Sequence, residues 1–215
     1  ALLPLVKRGF AIAYCHGRGG SELGQQWYEA GCRLNKRNGI ADFLSCAKYF
    51  KESDLFHSNS EGDKFIAAKA FSAGGVVVGA AVNESPHTFQ SVSLTNSFLD
   101  VLGSMSNTNH YLTDHERDEF GNPEDINYCP LANVSAQTYP PMLLIGTLDD
   151  ENVPFHHALV FGRRVRKHCK EIATEVLVHI EMDGGHNLHG SHLQISSLEV
   201  SFILGNFAKW RARQH

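Results

Sequence analysis

Three side chains of complementary chemistry stand far apart in this chain: Ser72, an aspartate at 149 or 150, and His186. A serine hydroxyl is a weak nucleophile until a base takes its proton. Histidine does this near neutral pH, and a buried carboxylate fixes its tautomer and steadies the imidazolium. Each of the three follows an apolar run. Ser72 lies at the joint between an apolar segment, Phe65 to Ala70, and a small-residue segment, Ala73 to Val82. The first reads as a buried strand and the second as a buried helix. A serine on such a strand–helix joint is the elbow usually written Gly-x-Ser-x-Gly. Here it is Ala70-Phe71-Ser72-Ala73-Gly74-Gly75, with Ala in place of the first Gly.

The elements around these residues supply a frame. Phe10 to Cys15 and Val92 to Phe98 read as strands. So do Met142 to Ile145, which runs into Gly146-Thr147-Leu148-Asp149-Asp150, and Thr174 to Ile180, which leads to Gly184-Gly185-His186. Ile40 to Tyr49, with apolar residues at i, i+3, i+4 and i+7, predicts an amphipathic helix, as do Phe155 to His168 and Ile195 to Trp210. Strands alternating with helices predict an α/β fold with a mostly parallel sheet. In such a sheet all strand ends share one edge, so the three side chains could meet. The order Ser, Asp, His is that of α/β-hydrolases. Residues 103–140 look irregular and hold the acids Asp114, Glu116, Asp118, Glu119, Glu124 and Asp125. A connection of that length in a compact domain is usually functional.

Composition narrows the function. The chain has 215 residues, is 42% hydrophobic and carries a net charge of −4. That fits one domain and argues against nucleic acid as a partner, which needs a basic face. No apolar run is long enough to span a membrane and no signal peptide is evident, so the expected setting is cytoplasmic. Five scattered cysteines without a Cys-x-x-Cys also fit a reducing compartment. The Gly-rich stretch His16 to Gly24 matches neither dinucleotide nor P-loop spacing. His186, His189 and His192 are three apart, but Gly190 breaks the helix that would align them on a metal. No metal and no cofactor are expected.

With those residues in view, the chain resembles the catalytic domain of the prolyl oligopeptidase family of serine peptidases, most closely the oligopeptidase B branch. The matching pieces include Arg18-Gly19-Gly20-Ser21-Glu22-Leu23-Gly24, Ser72-Ala73-Gly74-Gly75, Phe98-Leu99-Asp100-Val101, Glu119-Phe120-Gly121-Asn122-Pro123, Gly146-Thr147-Leu148-Asp149 and Asp183-Gly184-Gly185-His186. They run in family order over nearly the whole chain. The resemblance implies an α/β-hydrolase fold, a mostly parallel sheet with flanking helices, and hydrolysis of short peptides. It implies Ser72 as nucleophile, His186 as base and Asp149 as acid, with Asp150 the alternative. It implies the Ala73 N–H as one oxyanion donor; nothing matches the family's second donor, a tyrosine. Glu116 falls on a specificity glutamate for Arg or Lys substrates, and Phe98 on a pocket-wall aromatic.

The resemblance also implies that residues 1–215 form a partial peptidase domain. The first strands of the hydrolase sheet and the N-terminal propeller domain would lie outside this sequence, and residues 55–63 look longer than in relatives. Glu151-Asn152 stand where relatives often have an arginine. Two other readings stay open here: an esterase on the same fold, and a catalytically inactive module that binds peptides or proteins.

Overall fold

The computed structural model describes residues 2–54, 64–107, 116–169 and 174–214. The stretch 55–63 and Asp114, both singled out in the sequence, lie outside the described residues. In chain order come α1 (Leu3–Val6), α2 (Gln25–Glu29), α3 (Lys36–Glu52), β1 (Ala67–Phe71), α4 (Gly74–Glu84), β2 (Ser91–Thr95), α5 (Val101–Ser106), α6 (Arg117–Phe120), β3 (Met142–Thr147), α7 (His156–His168), β4 (Val176–Glu181) and α8 (His192–Ala212).

The four strands form one sheet in the order β1-β2-β3-β4, every pair parallel. β2 and β3 are buried along their whole length, and the apolar run of β3 accordingly lacks alternation. Val92, Leu94, Met142, Leu144 and Val176 face one core with α3, α4 and α7, where Val76, Ile40 and Phe161 are fully buried. Leu143 and Ile145 face the other way, against Ile195 and Phe202 of α8. The sheet is thus sandwiched between helical layers.

Helix α4 is rich in Gly and Val, poor helix formers in isolation. Packing overrides that propensity: eight of its residues are buried. Its glycines permit the approach. A Cβ on Gly75 would stand 2.3 Å from the Ser97 Cβ, and one on Gly79 would stand 2.9 Å from Pro130.

The α8-facing side of β2 is polar, with Ser91, Ser93 and Thr95 all buried. A buried Glu199 on α8 answers them. Its carboxylate accepts from Thr95 Oγ1 at 2.7 Å and Ser93 Oγ at 3.3 Å, and pairs with Lys69 of β1. Buried charge is tolerated here because it is paired and hydrogen-bonded.

One predicted element does not form. Residues 10–17 carry no regular secondary structure. A strand needs a ladder partner, and β1, at the sheet's edge, pairs with β2. Phe10 and Ile12 pack instead beside α8: the Phe10 ring lies 5.0 Å from that of Phe207. The next residues are tied to α3 by Arg18, whose side chain and amide donate to the Asp42 carboxylate. Among its described residues the irregular region 103–140 holds the end of α5, the short α6 and a 3-10 turn at Pro123–Asp125.

Candidate active site

The backbone poses Ser72 first. β1 ends at Phe71 and α4 begins at Gly74, leaving two residues for the reversal. Ser72 makes it in the left-handed region, at φ 53°. That conformation is unusual for a residue with a Cβ, and such strain gathers at functional sites. It is over-determined by neighbours. The Ser72 N–H donates to Thr95 O at 3.2 Å, and the Ser72 carbonyl accepts from Phe98 and Gly75, each at 2.9 Å. The Ala73 N–H follows at the head of α4, among the first amides of a helix, which have no intrahelical acceptor.

His186 sits in the loop after β4, where Gly184 and Gly185 take φ of 117° and 61°. Its Nε2 lies 2.8 Å from Ser72 Oγ, across 114 residues of sequence. Its Nδ1 lies 2.8 Å from Asp150 Oδ2 and 3.0 Å from Oδ1. The ring is buried, and Phe71 packs against it at 5.0 Å. A carboxylate accepts only, so Nδ1 carries the hydrogen and Nε2 has a lone pair directed at Ser72.

The aspartate beside His186 is Asp150; Asp149, which the resemblance implied as the acid, stands elsewhere. Asp149 is exposed and accepts the Gly185 N–H at 2.8 Å. The turn after β3 explains the offset. Asp150 N–H donates to Thr147 O at 3.2 Å, closing a turn that carries residue 150 back over the sheet edge. There its Oδ1 accepts the N–H groups of Asn152 and Val153, both at 2.8 Å. The turn Asp150-x-Asn152-Val153, whose amides bind the Asp150 carboxylate, sets which of the two aspartates faces His186.

A cavity of about 250 Å³ opens on Ser72 and His186. Ala73, Phe98, Glu116, Phe120, Asn152 and Val153 complete its lining. Ala73, Phe98 and Glu116 thus share one wall system with Ser72, although residues 108–115 lie outside the description. Phe98 is held edge-to-face by Phe120 at 5.1 Å and stacked on His157 at 5.6 Å. Three other acids near the site have partners of their own. Asp118 pairs with Arg33, Glu119 with the buried Lys36, and Asp100 caps α5 by accepting the Gly103 N–H. Phe120 and His157 gave no functional signal in the sequence, because an aromatic and a histidine in such positions read equally as core.

A second cavity, about 420 Å³, lies on the other side of the elbow, between residues 13–20, α3 and β1. Cys15 on its wall touches Cys46 at 3.3 Å, and burial pushes its thiol up to about 12.

Residues 2–209 match the model of the prolyl oligopeptidase family. The chain belongs to that family. It is 37% identical over 213 residues to a prolyl endopeptidase-like protein of Xenopus laevis, covering 92% of this chain and 29% of that one. Oligopeptidase B from Leishmania major superposes with a TM-score of 0.79 at 30% identity, over 89% of this chain and 27% of that one. Oligopeptidase B from Trypanosoma brucei, solved with covalently bound antipain, gives 0.75 at 30% identity, over 87% and 28%. The chain therefore spans less than a third of the length of these relatives. The fold of this family member is the α/β-hydrolase fold, with the parallel sheet expected from its sequence. No helix among the described residues is long and apolar enough to cross a membrane.

Proposed function

We propose that this chain is the catalytic part of a serine oligopeptidase that cleaves short peptides after Arg or Lys. The observation that carries the reading is the single imidazole shared by two partners, Ser72 Oγ on Nε2 and Asp150 on Nδ1, each at 2.8 Å. That arrangement is the one a serine nucleophile needs.

In the proposed reaction His186 Nε2 takes the Ser72 proton as Oγ attacks the scissile carbonyl. The imidazolium formed is steadied by Asp150, which stays ionised. The Ala73 N–H donates to the developing oxyanion. His186 then gives its proton to the leaving amine, and an acyl ester remains on Ser72. Water, deprotonated by His186, attacks that ester, releases the acid and restores the hydroxyl. Covalent capture of antipain by the Trypanosoma brucei relative supports chemistry of this kind.

Glu116 and Phe98 support the choice of a basic residue. A cationic side chain entering the cavity needs a carboxylate, since burying it unpaired is costly. Glu116 lines that space, and Phe98 and Phe120 offer apolar walls for the methylene stem. We further propose that residues 1–215 are one partial domain of a longer peptidase, whose remaining parts include the propeller.

Fluorogenic Arg and Lys amides test the activity, and a fluorophosphonate probe tests the nucleophile. Labelling and hydrolysis should both vanish in Ser72→Ala. Hydrolysis that survives that substitution would refute the reading, and turnover of esters without amides would replace the peptidase by an esterase.

A further inference from the structure

The base is anchored by its own main chain, and the anchor is an asparagine. Asn96 follows β2 directly, is almost fully buried and takes the left-handed φ of 43°. Asparagine tolerates that conformation better than most residues. Its Nδ2 donates to the carbonyl of His186 at 2.8 Å and reaches that of Gly185 at 3.5 Å. Its Oδ1 accepts the hydroxyl of Thr147 at 3.1 Å, at the end of β3. The amide has only one orientation that works. Both loop carbonyls accept and cannot donate, so the nitrogen must face them and the oxygen must face the threonine.

We propose that Asn96, oriented by Thr147, is a positioning residue for His186. This rests on the reading of His186 as the general base. The loop needs such an anchor because Gly184 and Gly185 give its backbone great freedom. Asp149 ties the loop from the exposed side through the Gly185 N–H, and Asn96 ties it from the buried side through His186 itself. The same step of β2 also registers the nucleophile: Thr95 O accepts the Ser72 N–H, one residue before Asn96. Nucleophile and base are thus both referenced to residues 95 and 96. A displacement of about 1 Å at a reacting pair can cost ~10²-fold in rate.

The test compares Asn96→Ala, Thr147→Val and Thr147→Ser in the full chain. Asn96→Ala is expected to lower kcat and the rate of fluorophosphonate labelling of Ser72 by about 10–100-fold, with KM changed less than about twofold. Thr147→Val, which leaves the asparagine but removes its orienting donor, should lose part of that rate. Thr147→Ser should restore it. A folded Asn96→Ala protein that labels at the wild-type rate overturns the proposal. If Asn96→Ala does not fold, equal rates for the valine and serine variants overturn it instead. A readout without turnover separates this inference from the proposed activity. The low-field proton resonance of His186 Nδ1–H bonded to Asp150 should shift or broaden in Asn96→Ala and Thr147→Val and return in Thr147→Ser. An unchanged resonance in all three sinks the positioning role even in a protein that hydrolyses peptides. An inactive wild type showing these spectral changes sinks the proposed activity and leaves the anchor standing.

Discussion

Asp150 and Asp149 are neighbours in sequence and stand in different chemistry. The Asp150 carboxylate meets His186 Nδ1 at 2.8 Å, while that of Asp149 accepts the Gly185 N–H. Asparagine substitution should separate them. Asp150→Asn should lower kcat by roughly 10⁴-fold, the order of loss when a triad carboxylate becomes an amide. Asp149→Asn keeps an acceptor for Gly185, and a lost charge on one hydrogen bond is worth about 1 kcal/mol, or under tenfold. Steady-state kinetics of the two variants decides the assignment, and the reverse ranking would restore Asp149.

Glu116 should govern selectivity more than rate. Glu116→Gln should lower kcat/KM for Arg and Lys amides by about 10–100-fold, the range for a hydrogen bond to a charged group. Substrates with an uncharged residue before the cleaved bond should change little. Equal losses on both substrate sets would remove Glu116 from the specificity pocket.

The Lys69–Glu199 pair makes a stability prediction. Lys69→Met leaves the buried Glu199 carboxylate with Thr95 and Ser93 as its hydroxyl partners. An uncompensated buried charge of this kind costs about 3 kcal/mol. The double variant Lys69→Met/Glu199→Gln removes the charge while keeping an acceptor for Thr95, so it should be more stable than Lys69→Met alone. Urea denaturation of the four members of the cycle measures the coupling, and a double variant weaker than either single one would contradict it.

Asp42 gives a pH signature. The Arg18 side chain, donating to both carboxylate oxygens, holds the Asp42 carboxyl below its ordinary range. A carboxylate depressed on folding stabilises the protein above its unfolded value, about 4, and loses that contribution as pH falls through the folded value. Asp42→Asn should therefore melt a few degrees below wild type at pH 7, for a loss of about 1 kcal/mol. The gap should close on acidification below about pH 4. A gap that stays constant between pH 7 and pH 3 would show that the ion pair contributes nothing.

The sheet was readable because its strands are short apolar runs stopped by Gly or polar residues, as in Met142–Thr147. The helices were readable from their apolar stripes, and α3 extends beyond the predicted Ile40–Tyr49 to Lys36–Glu52. Two features resisted. Residues 10–17 have a strand's composition, but pairing is a property of neighbours, and here Phe10 turns to Phe207 instead. The choice between two adjacent aspartates depended on a turn closed by one backbone hydrogen bond. Sequence pattern reports which side chains are apolar far better than which way a reversal points. Asn96 was invisible for a related reason: its meaning lies in carbonyls some 90 positions downstream.

The 114-residue separation of hydroxyl and imidazole has a consequence during synthesis. A ribosome extends the chain from its N-terminus, so the serine is made long before its histidine exists. Until the last strand has docked, the nascent polypeptide holds only an inert alcohol. The proposed cutting activity is thereby withheld until β4 and the loop after it have joined the sheet.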